Sequence, residues 1–181
     1  MDKEEKKIIE KEEKCINKKN NQIINLEDVA LGKETRTTII IRNIPLKYKY
    51  KDLEKELEPF MGKYDCLLFP YNILYAFLNL KTQYHLLLFY EYFNLKFWSF
   101  YKSMIVCELK YPNLQGIDEI KKQANKYKEP ENLYFYLETN NDKNNKIEIP
   151  YKYLNLLLQA NPKMKFVENK QDNTFIVESF K

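Results

Sequence analysis

Tyr75 and Phe77 stand two positions apart in the run ILYAFLNL, Ile73 to Leu80, and a two-residue spacing on a β-strand puts both rings on one face. A planar nucleobase lies flat on such a ring, a contact worth roughly 1 to 3 kcal/mol per base. Ile40, in IIIRNI (Ile39 to Ile44), is the matching outward position on an earlier strand. Arg42, Lys47 and Lys110 are the cations placed to neutralise phosphates, with Lys49 beside them. Asn43 and Asn79 can hydrogen-bond base edges or tie strand ends together, and both readings are open at this stage. Tyr111, just past the last of these strands, is a further ring, though packing against the following segment suits it better.

The elements that must position these residues are legible in the pattern. TTIIIRNI, from Thr37, is a β-branched run that ends at Pro45. Leu53, Leu57 and Phe60 recur at i, i+4 and i+7, which predicts an amphipathic helix closed by Pro59 and Gly62. CLLFP (66–70) and LYAFLNL (74–80) predict an antiparallel pair joined by a tight turn. Thr82 is the expected cap of a second helix reaching about Phe93. MIVCELK (104–110) completes the order strand, helix, strand, strand, helix, strand, with Val106, Glu108 and Lys110 on one side and Ile105, Cys107 and Leu109 on the other. The expected fold is α+β, a ferredoxin-like βαββαβ domain with a four-stranded antiparallel sheet and two helices.

Three segments follow from this. Residues 1–21 are a charged tail, disordered or a frayed helix; 22–125 are the domain with its lead-in; 126–181 are an ordered α/β extension packed on it. The extension shows a strand at 133–138, then IEIP, YKYLNLLLQA and a hairpin about the Asn169 to Asn173 turn. The second helix carries apolar residues around most of its circumference, from Tyr84 to Phe93, so one side alone cannot bury them. The expectation is that residues 131–179 cover its outer side and leave the opposite sheet face bare.

Composition narrows the function. The chain has 181 residues, 44% hydrophobic and 15% aromatic, enough to build a packed interior. Thirty basic residues against 26 acidic ones leave a net charge of +4, which permits a nucleic-acid partner without demanding one. Cys15, Cys66 and Cys107 lack metal-site spacing and fit a reducing, intracellular compartment. The most apolar stretch, Tyr84 to Trp98, is interrupted by charge and too short for a bilayer, and no secretory leader is expected. The lone His85 has no catalytic partner at a recognisable spacing and is expected on a helix surface; the three glycines lie too far apart for a phosphate loop. No enzyme activity, metal or cofactor is expected. Trp98 is expected in the core within a cluster with Phe97, Phe100 and Tyr101.

Residues 22 to about 125 resemble the carboxy-terminal RNA-recognition domain of the Mei-two-like proteins. The carriers are Gly32, RTTIIIRNIP (36–45), Lys47-Tyr48, GKYD (62–65), YAFLN (75–79), Trp98, Val106-Cys107 and LQG (114–116). Three features depart from the family: Leu74 replaces a glycine before the first aromatic, Ile40 replaces an aromatic, and the loop between strands two and three is short and has lost its basic residues. The resemblance implies single-stranded RNA as partner, a regulatory post-transcriptional role, a nuclear or nucleocytoplasmic place, and an ordered lead-in containing Leu26, Val29 and Gly32. The alternative is a protein-interaction domain of the same fold whose sheet face is covered. Bare rings at Tyr75 and Phe77 are what separate the two.

Overall fold

A computed structural model describes residues 21–71, 73–127, 133–138 and 146–181. The charged tail (1–20), Cys15 and the polar turn at 139–145 lie outside the described residues.

The lead-in is a short helix, α1 (Leu26–Ala30), capped by the Asn25 side chain, which accepts from the amides of Glu27 and Asp28. It buries Val29 and Ala30. Then come β1 (Thr38–Arg42), α2 (Tyr50–Leu57), β2 (Tyr64–Pro70), β3 (Tyr75–Leu80), α3 (His85–Phe93) and β4 (Glu108–Lys110). The strands pair antiparallel in the order β4-β1-β3-β2, with Ile40 opposite Phe77 and Arg42 opposite Tyr75. Ile39, Ile41, Leu67, Phe69, Ala76, Leu78 and Leu80 point to the helix side, where Leu53, Leu57, Phe60, Leu86 and Phe89 complete the main core. This is the expected ferredoxin-like arrangement.

The chain then crosses the sheet. Helix α4 (Ile117–Ala124) lies on the face opposite α2 and α3, and β5 (Leu133–Leu137) adds a fifth strand beside β2, Cys66 opposite Leu137. The strand order is thus β4-β1-β3-β2-β5. A second sheet, β6 (Ile147–Pro150), β8 (Thr174–Ser179) and β7 (Lys165–Asn169) in that order, packs through β6 against α3, while α5 (Leu154–Ala160) packs against α1. Ile149, Leu157 and Phe175 join the main core, Phe180 stacks on Tyr84 at 4.6 Å, and the Tyr153 hydroxyl donates to Glu91 at 2.7 Å. The outer side of α3 is therefore covered, but by residues from 147 onward.

Four expectations are corrected here. The sheet face opposite the helices is not bare, because α4 occupies it. Residues 133–137 serve the sheet edge rather than the outer side of α3. Thr82 does not cap α3: the helix starts at His85, and among the described residues no side chain caps it and the buried Thr82 hydroxyl has no hydrogen-bond partner. His85 is 1% exposed, on the core side of the helix's first turn rather than on its surface.

Candidate nucleic-acid interface

The face carrying the expected site presents Thr38, Ile40 and Arg42 from β1, Tyr75, Phe77 and Asn79 from β3, Cys66 and Leu68 from β2, and Glu108 and Lys110 from β4. Period-two alternation fixes this set, since the intervening residues of each strand fill the main core. Tyr75 and Phe77 do sit side by side, ring centroids 5.4 Å apart, but at 72°, edge to face.

Phe77 is only 2% exposed and Ile40 is wholly buried. Ile120, from α4, is seated on them together with Cys66 and Leu68, and Leu114, Ile117 and Ala124 pack around the margin. The expected open platform of two rings is thus corrected: Phe77 and Ile40 are core residues of a second, smaller cluster, and Tyr75, half-buried, remains at its edge. The cause is the spacing of Ile117, Ile120 and Ala124 at i, i+3 and i+7, one apolar stripe on a helix otherwise made of Asp, Glu, Lys and Gln. Full burial of one such isoleucine stabilises by about 1.5 to 3 kcal/mol. Burial also pushes the Cys66 thiol up to about 12, the neighbouring Asp65 charge adding to it.

The approach to α4 is held as firmly as the helix itself. The Gln115 amide donates to the Thr38 carbonyl at 2.9 Å and its oxygen accepts from the Thr38 amide at 3.0 Å, while the Gly116 amide donates to the Thr38 hydroxyl at 2.7 Å. These bonds fill the side of β1 that β4 leaves beyond Ile40.

The polar candidates are committed to the fold. Asn79 accepts from the hydroxyls of Thr37 and Thr38 and donates to Asp65 at 2.8 Å, which ties β1, β3 and β2 together. Asn43, at φ 61°, donates to the Val106 carbonyl at 3.1 Å, and its own carbonyl accepts from the Trp98 indole at 2.7 Å. Arg42 and Lys110 share Glu108, at 3.4 and 2.8 Å. Lys47 and Lys49 are exposed. Tyr111 is fully buried under the Arg36 guanidinium, 3.9 Å from its ring centroid, and offers no stacking surface.

The sequence groups Phe97, Phe100 and Tyr101 with Trp98 and puts Trp98 in the core. Trp98 is buried, but Phe97 is 63% and Tyr101 55% exposed. Their segment, between α3 and β4, is anchored by Glu56, a buried carboxylate of α2 that accepts from the Tyr48 hydroxyl, the Ser99 amide and the Ser99 hydroxyl at 2.6 to 3.0 Å. Phe97 pairs with Val106 across an antiparallel bridge. Spacing within FWSFY carries no signal that tells these rings apart: the Trp98 indole is tied to Asn43, whereas Phe100 and Tyr101 lean on the Tyr48 ring and the Tyr101 hydroxyl donates to Asp52 at 3.4 Å.

A five-stranded sheet with a hexamer-type first strand, a ring pair on the third and two helices behind defines an RNA-recognition-type domain. Residues 36–126 match the family model "RNA recognition motif 2", half of the 181-residue chain, and the chain belongs to that family. It is 41% identical over 100 residues to "Protein MEI2-like 2" of Arabidopsis thaliana, covering 51% of this chain and 12% of that protein. It is 38% identical over 100 residues to "Protein MEI2-like 2" of Oryza sativa subsp. japonica, with the same shares, and 32% identical over 126 residues to "Protein terminal ear1 homolog" of Oryza sativa subsp. indica, covering 56% and 18%. The chain thus spans about an eighth to a fifth of the length of these relatives, and the resemblance to the Mei-two-like family holds. Among the described residues no helix is long and apolar enough to cross a membrane.

Proposed function

We propose that this chain is a single-stranded RNA-binding module acting in post-transcriptional regulation. The observation that carries the reading is the family match over residues 36–126, which includes the strand that holds Tyr75. Tyr75 supplies the accessible ring next to Arg42, and Lys47 and Lys49 supply phosphate contacts from the β1–α2 connection. Phe77 and Ile40 support the surface from beneath α4 and take part in stacking only where α4 is displaced. A binding module of this kind needs no reaction of its own. A nuclear or nucleocytoplasmic setting goes with the reading.

The test is a fluorescent random-sequence RNA pool titrated with the whole chain at low and moderate salt. Binding that weakens steeply with salt and falls roughly five- to hundred-fold in Tyr75→Ala supports RNA. Absence of binding by a well-folded wild-type chain overturns it.

A second reading, a protein-interaction domain of the same fold, is the one that the criterion of two bare rings favours: α4 covers Phe77 and leaves Tyr75 at its edge, and Glu108 takes both Arg42 and Lys110. A covered sheet leaves its loops and edges as contact surface. The outcome without RNA binding is the one this reading expects.

A further inference from the structure

The β4 alternation continues past its first residue. Leu109 and Cys107 are buried in the main core, so Glu108 and Val106 project to the opposite side, the face of Tyr75 and Arg42. Residues directly opposite in an antiparallel pair share a face, so Phe97, bridged to Val106, projects there too. The ring lies at the far edge of the same surface that α4 occupies near β2, out of reach of its cover, and it is the more exposed ring: 63% for Phe97 against 2% for Phe77.

The segment that presents Phe97 is built, not slack. The Leu95 amide donates to the Cys107 carbonyl and the Cys107 amide to the Lys96 carbonyl, both at 2.8 Å. Trp98 is bonded to Asn43, and Ser99 to Glu56. Leu95, Tyr101 and Lys102 all hold positive φ (59°, 64° and 43°), and Asn43 beneath them does too. Each such residue costs of the order of 1 kcal/mol or more, and such strain gathers at binding sites. Lys102, on the same hairpin, and Lys47, next to the Tyr48 ring that edges Trp98 and Tyr101, are exposed and form no ion pair among the described residues.

We infer that Phe97 is a base-stacking platform for single-stranded RNA, a second contact point at the β4 edge that takes over from the capped Phe77, with Lys47 and Lys102 holding the flanking phosphates. The inference rests on the RNA reading and locates its surface. Three strand spacings of ~4.8 Å separate the Tyr75 column from Phe97, roughly 14 Å. An extended strand of a few nucleotides spans that, within the short site sizes usual for stacking proteins.

The full chain and its Phe97→Ala, Phe97→Trp and Tyr75→Ala variants are titrated with a fluorescent twelve-nucleotide oligouridine at low salt, and 4-thiouridine crosslinks are mapped by mass spectrometry. Phe97→Ala is expected to bind roughly five- to hundred-fold more weakly with unchanged melting temperature, Phe97→Trp to restore affinity, and crosslinks to fall on the peptide holding Phe97. Wild-type affinity in Phe97→Ala, with Tyr75→Ala impaired, overturns this inference and leaves the RNA reading standing. Binding of neither the oligouridine nor the random-sequence pool by the well-folded wild-type chain overturns both.

Discussion

The side-chain amide of Gln115 closes a two-bond ring with the backbone of Thr38, donating to its carbonyl and accepting from its amide as a neighbouring strand residue would. Where β4 stops pairing with β1, one side chain continues the ladder and delivers the chain to α4. Replacing Gln115 with Ala leaves two part-buried backbone groups without partners, at about 1 to 3 kcal/mol in urea unfolding. Hydrogen exchange is expected to quicken across 115–124 more than across α2.

Cys66 reports on the same helix. It is covered by α4, and its thiol, pushed up to about 12, is almost wholly protonated near pH 8, so alkylation by iodoacetamide in the native chain is slow. Ile120→Asp places a charge at the centre of that contact. Labelling of Cys66 is then expected to accelerate by at least an order of magnitude while Cys107, in the main core, stays protected; equal acceleration at both would mean global unfolding instead.

Tyr75 and Phe77 are expected to separate by phenotype. Phe77→Ala empties a buried site and costs about 3 to 5 kcal/mol of stability. Tyr75→Ala, at the edge of the cover, costs less in urea denaturation and more in RNA affinity. If the two variants lost affinity equally at unchanged stability, α4 would not be seated on Phe77 in solution.

Acid sensitivity has an identifiable source at Glu34. Its hydrogen bonds from the Arg36 side chain, at 3.0 and 2.7 Å, hold the carboxyl below its ordinary 4.5. A depressed carboxylate contributes stability above its unfolded value that is lost as pH falls through its folded one. The stability difference between wild type and Glu34→Gln is therefore expected to be largest above pH 4.5 and to shrink below it, by no more than about 1 kcal/mol because the pair is part-exposed.

The strand and helix order was readable because β-branched runs and apolar spacing report burial directly, as in TTIIIRNI and at Leu53, Leu57 and Phe60. Two features of the surface were not. Helix α4 has only Ile117, Ile120 and Ala124 to mark it, among residues that a polar linker would also contain, and nothing local says which sheet face such a stripe will meet. In the run from Phe97 to Tyr101, burial is decided by tertiary partners, Asn43 for Trp98 and Glu56 for Ser99, which sequence spacing does not reveal. Thr82 illustrates the converse: the right residue type for a cap, three positions before the helix, with its hydroxyl turned into the protein.

The fifth strand has a consequence for how far the folding unit reaches. The family-model match ends at residue 126, yet the hydrogen-bonding edge of β2 is satisfied by Leu133–Leu137 and the back of α3 by residues beyond 146. A fragment trimmed to the matched region would carry a raw, sticky strand margin and a greasy helix, both prone to self-association. The span that defines the family and the span that keeps these surfaces from water are different lengths of the same polypeptide.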